Sequence, residues 1–144
     1  MTRPHPRDER GSAAIEAAVG VPAFVLFVGL IIFGGRTATA HQSVESAAAD
    51  AARAASIERT STSARAAAIN AATTSLSNQG VHCLHIDVTV DANQFNRTVG
   101  QAATVSVRVR CRIDLSDLSV PAVPGSRLIS ATMTSPIDTF RERA

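Results

Sequence analysis

Few residues in this chain are of types and spacings that could do chemistry. His82-Cys83-Leu84-His85 has the look of a metal cluster. In a strand, however, His82 and His85 point to opposite faces, leaving only Cys83 and His85 on one side and no fourth ligand. Asp114 and Asp117 could work as a carboxylate pair, but two acids beside a loop, with no cleft to hold them, are ordinary solvated surface. No Gly-x-Ser-x-Gly elbow presents a nucleophile and no Gly-rich phosphate loop follows a strand. Every basic residue is Arg, and the absence of Lys excludes Schiff-base chemistry and a phosphate-loop lysine. Arg108, Arg110 and Arg112 share one strand face. They could form a stripe for an acidic partner, but a solvated face with cross-strand partners is the simpler reading, Asp87 being an acid on the neighbouring strand. No cofactor, metal site or enzymatic activity is expected.

The elements that would position these residues follow from composition and period. The chain has 144 residues, enough for one modest core, with 45% hydrophobic and 18% charged residues. Aromatics are 3%, without Trp or Tyr, and the net charge is +2. Stacking platforms and a polybasic surface for nucleic acid are thereby excluded.

From Ala17 to Gly35 the sequence carries no charge. As a helix this stretch spans about 28 Å, close to the ~30 Å hydrocarbon core of a bilayer. Arg3, Arg7 and Arg10 precede it, and only Arg36 lies close behind, which favours a cytoplasmic N-terminus and an exported C-terminal part. The segment has three possible fates. As a Sec signal peptide it would be cut after Ala38-Thr39-Ala40, but the run is too long and Arg36 interrupts the approach. The others are an uncleaved anchor and a prepilin-type leader.

The residues favour the prepilin-type leader. Gly11 closes a short hydrophilic leader, Ser12-Ala13-Ala14-Ile15-Glu16 follows, and the apolar run begins. Cutting after Gly11 makes Ser12 the first residue and Glu16 the fifth. The stretch GSAAIEAAVGVPAFVLFVGLIIFGGR resembles the TadE-like pseudopilins of tight-adherence (Flp) pilus systems, in the type IV pilin-like superfamily. Gly11, Ser12, Glu16, Pro22, Gly35 and Arg36 carry the likeness. With Ser12 first and Ala17 after the Glu, the pattern fits a minor pseudopilin better than a filament-forming pilin. The resemblance implies processing by a prepilin peptidase at Gly11 and Ser12, and an assembly role for Glu16. It also implies a non-enzymatic part in building a pilus or related secretion apparatus, with other pilin-like subunits and an inner-membrane platform protein as partners. The alternative is a membrane-anchored binding module of the cell envelope without a pilus role.

The expected organisation is a leader (1–11), a transmembrane helix (12–35), a stalk helix (36–58) and an extracytoplasmic α+β domain (59–144). Along the Ala-rich stalk, Val44, Ala47, Ala48, Ala51 and Ala55 form a shallow apolar stripe, suited to packing within the chain or against neighbouring pilin helices. Asp50 and Arg53 are spaced as an exposed helical pair. Thr60-Ser61-Thr62-Ser63 reads as a break and new N-cap, followed by a helix over Thr62–Asn78 with Ala68, Ile69, Ala72 and Leu76 on one face.

After Gly80 the period becomes two. Strands are expected over His82–Val90, with Leu84, Ile86, Val88 and Val90 inward, over Ala103–Leu115, and around Ile129–Ile137. A polar loop, Asp91–Gln101, joins the first two, and Pro136 marks a sheet edge or strand end. The fold class is α+β: a long N-terminal membrane helix with its stalk, a second helix and a small three-stranded antiparallel sheet. Pairing Ile86 with Val109 would set Asp87 opposite Arg108. An exported domain permits a disulfide between Cys83 and Cys111 on adjacent strands. Alternation places Cys111 inward but Cys83 outward. The bond therefore requires an irregularity between Gly80 and Leu84: a bulge that turns Cys83 inward, or a Cys83 that precedes the regular strand.

Overall fold

The computed structural model describes residues 10–116 and 125–140, with side chains from Ala14 onward. Residues 1–9 of the expected leader, and Asp117 in the loop between the last two strands, lie outside the described residues.

Helix α1 runs unbroken over Arg10–Ser56, 47 residues. The apolar run and the stretch read as a stalk are therefore one element. No Gly or Pro follows Gly35 before Ser56, and Thr37 and Thr39 donate their hydroxyls to the carbonyls of Phe33 and Gly35, at 2.9 and 3.1 Å, across the junction. Helix α2, Ser61–Asn78, opens on the expected Ser/Thr cluster. Thr60 is its N-cap: Thr60 Oγ1 accepts from the Ser63 N–H at 3.1 Å, and Ser63 Oγ accepts from the Thr60 N–H at 3.4 Å. Ser thus fills the place usually taken by Glu or Gln in a capping box. Gly80, at φ 68°, turns the chain out of the helix.

Three strands follow, β1 (Cys83–Asp91), β2 (Ala103–Asp114) and β3 (Ser126–Ile137), antiparallel in the order β1-β2-β3. β2 is central and alternates cleanly, burying Ala103, Val105, Val107, Val109, Cys111 and Ile113. Pro136 sits near the end of edge strand β3, where a missing N–H costs the ladder least.

The helices cover the sheet's inner face. The stripe Val44, Ala47, Ala48, Ala51 and Ala55 is fully buried, packed within the chain against α2, β2 and β3. The stalk is thus the central helix of the core. Small side chains are what allow its backbone to lie close to both a helix and a sheet. Asp50 accepts a hydrogen bond from Ser75 Oγ of α2 at 2.7 Å, in place of the expected pairing with Arg53. On α2 the buried set is Ala64, Ala68, Ala72 and Leu76, whereas Ile69 is 46% exposed. This corrects the expected face: the strict four-residue stripe of three alanines and Leu76 packs on α1, and Ile69 lies beside it.

The registers fix the height of the domain along α1. Ser135 Oγ donates to Ser56 Oγ at 3.1 Å, and Ser135 pairs with Val105. Eight residues from Val105 to Ile113 descend about 26 Å. Sixteen residues from Ser56 back to Ala40 descend about 24 Å. The lower rim of the sheet is therefore level with Ala40, where burial of α1 begins.

Candidate assembly surface

Gly11 and Ser12 lie in the first turns of α1, and their side chains are outside the described residues. Glu16 is exposed one helical turn beyond Ser12, on the same face. The expected processing and assembly positions thus share one helix end. Pro22 lies inside the helix and supplies no N–H to the carbonyl of Ala18.

From Ala14 to Phe27 every residue of the helix is exposed, and Val28, Gly29 and Phe33 are half-buried, Phe33 against the domain core. Phe24 is 67% exposed and Ile31 58%, and a Cβ added at Gly20, Gly34 or Gly35 would meet nothing within 4 Å. Each helical glycine costs about 1 kcal/mol relative to Ala. Nothing in the chain's own packing offsets that cost at these three positions. Length and apolar composition make this helix a candidate single membrane span, and a single-pass anchor fits it. The segment Ala38-Thr39-Ala40 falls within the same unbroken helix, with Ala40 already buried.

Cys83 and Cys111 lie at disulfide distance, with sulfurs 2.02 Å and Cα atoms 5.3 Å apart. The geometry that allows this is a bulge. Cys83 pairs with Ile113 and His85 with Arg112, so Leu84 is an extra residue without a partner. Cys83 turns toward the core and Leu84 is left 60% exposed, which corrects its expected inward place. The register is also two residues from the one expected: Ile86 faces Cys111 and Asp87 faces Arg110. The β1–β2 connection holds a further departure, since Asn93–Asn96 forms a 3-10 turn that buries Phe95. An isolated aromatic in a polar loop was the available signal for that plug.

The three arginines of β2 point outward, each with a cross-strand partner. Arg108 Nε donates to Thr132 Oγ1 at 3.0 Å, Arg110 is 3.8 Å from Asp87, and Arg112 Nη1 donates to Ser126 Oγ at 3.5 Å. Asp114 accepts from the Ser116 amide at 2.9 Å. Hydrogen bonds from Ser116, its backbone first, hold the carboxyl below its ordinary value of 3.8. Its expected companion Asp117 lies outside the described residues. Among the described residues, no group of three or more His, Cys, Asp or Glu is placed to hold a metal ion.

Residues 11–53 match the family described as TadE-like protein, a family associated with tight-adherence pili. The matched segment begins at Gly11, ends inside α1, and includes no residue of α2 or the sheet. No curated protein and no solved structure matches the chain.

Proposed function

We propose that this chain is a minor pilin or pseudopilin of a tight-adherence type pilus or related secretion apparatus, acting without catalysis. The observation that carries the reading is α1 itself. Within the family-matched stretch, residues 14–27 are mostly apolar and exposed, while from Ala40 onward the same helix is the core of a folded domain. In this reading a prepilin peptidase cuts after Gly11, whose lack of a side chain admits the scissile bond to a membrane-embedded active site. The N-terminus is cytoplasmic and the α+β domain extracytoplasmic. The unpacked helix then joins other pilin-like subunits and an inner-membrane platform protein. The three uncontacted glycines support this, because small residues let helices approach closely in lipid.

A carboxylate in the membrane-entry turn costs up to about 3 kcal/mol if drawn toward the bilayer centre. Cleavage gives Ser12 a free α-amine one turn from Glu16, and the amine of one subunit can pair with Glu16 of the same or a neighbouring chain. Such a pair sets the axial stagger between subunits. Mass analysis of the mature N-terminus tests the reading: Ser12 supports the pilin route, whereas Met1 indicates an uncleaved anchor and His41 a secreted protein. Glu16→Ala should insert, be cut and form the outer domain, yet lose crosslinks to its pilin partners. Wild-type crosslinking in that variant would remove the assembly role.

A further inference from the structure

We propose that the lower rim of the sheet is a docking surface for an anionic phospholipid headgroup layer, held against the bilayer from which α1 emerges. The inference rests on reading α1 as a membrane span. If the hydrocarbon layer ends near Gly35, the interfacial layer beyond it is about 5–7 Å deep. From Arg36 to Ala40 the helix rises about 6 Å. Gly35, Arg36 and Ala40 line one crevice with His82, Ile113 and Asp114, a space of about 580 Å³. The start of β1 and the end of β2 therefore stand at headgroup depth.

The side chains at this level suit that position. Leu84, put out by the bulge, is 60% exposed, and Leu128 on β3 is 54% exposed. Leu128 pairs with Arg112, which also pairs with His85, so both leucines and these two basic residues belong to one end of the sheet. Arg127, exposed, pairs with Ile113 at the same end. Apolar residues ringed by arginines are what an interfacial surface on anionic lipid requires. The opposite end also exposes apolar residues, Val99 at 54% and Phe140 at 85%, but sets Arg59 and Arg97 among three acids, Glu58, Asp91 and Asp138, where the rim sets Arg36, Arg112 and Arg127 against Asp114, and it lies about 24 Å farther along α1.

The absence of Trp makes a direct test available. Full-length protein with a single Trp at Leu84, Leu128, Val99 or Phe24 is reconstituted in phosphatidylglycerol vesicles brominated high on the acyl chains. Leu84→Trp and Leu128→Trp should emit to the blue of Val99→Trp and be quenched by the bromines, with Phe24→Trp quenched as a membrane-span control. In phosphatidylcholine the rim signals should fall, and in phosphatidylglycerol each of Arg112→Gln and Arg127→Gln should lower the docked-to-free ratio about fivefold. Rim reporters that behave like Val99→Trp while Phe24→Trp is quenched overturn the docking and leave the span intact. An unquenched Phe24→Trp overturns the span and the docking with it. Equal rim signals in the two lipids overturn the anionic preference.

Discussion

The two halves of α1 share one unbroken backbone and differ in what surrounds them. Residues 14–32 present apolar side chains on every side, whereas residues 40–56 bury a narrow stripe of small ones. Bulky side chains in the first half are suited to a solvent that is itself apolar, and small ones in the second to a sheet and a helix at close range. What a helix packs against sets residue size as much as polarity.

Charge placed in each half should break the comparison most visibly. Ala51→Asp buries an unpaired carboxylate and should cost more than about 4 kcal/mol, abolishing the cooperative unfolding transition of the folded domain. Ala23→Asp should leave that transition intact and reduce insertion into membranes. Denaturant unfolding and membrane fractionation of the two variants measure both effects.

A smaller effect is expected from the β1–β2 crosslink, which lies wholly in the domain built on the second half. Cys83 and Cys111 are 28 residues apart, and loss of a bond closing such a loop costs about 3.6 kcal/mol. Cys83→Ser should lower the unfolding free energy by that amount, and reductant should do the same to wild type but nothing to the variant. Thr60→Ala removes the α2 cap and should cost about 1 kcal/mol, read from the denaturation midpoint.

The smallest effect concerns Asp114. Its carboxyl is held below the ordinary value in the folded state, so its contribution is present above the ordinary carboxylate range and lost as pH falls through the lowered value. Asp114→Asn should therefore lower stability slightly at neutral pH, leave it nearly unchanged below the lowered value, and so flatten part of the acid limb, as read from denaturation midpoints across pH.

Much of this was legible from residue period. The long apolar helix, the Val44–Ala55 stripe, the Ser/Thr cap and the alternation of β2 each rest on a local pattern that tertiary packing had no reason to override. The departures are tertiary in origin. Ile69 loses its inner place because α1 admits Ala there and not a larger side chain. Leu84 is displaced because Cys83 comes inward to meet Cys111, and no period-two pattern contains an extra residue. The two-residue register error preserves every side chain's face, so hydrophobic alternation could not detect it. At the candidate assembly positions, Gly11, Ser12 and Glu16, the sequence pattern carries nearly all the information, since their partners would belong to other molecules.

The course of α1 through the domain also governs how the molecule would bear force. The helix enters at the lower rim and ends at the far tip, where Ser56 is hydrogen-bonded to Ser135. A pull on its N-terminal end would not peel the helix away turn by turn. It would drag its full buried length lengthwise past α2, β2 and β3, loading all those contacts at once. Force applied at the N-terminal end would thus reach the domain through a stiff handle joined to it in shear, and the domain would follow as one body.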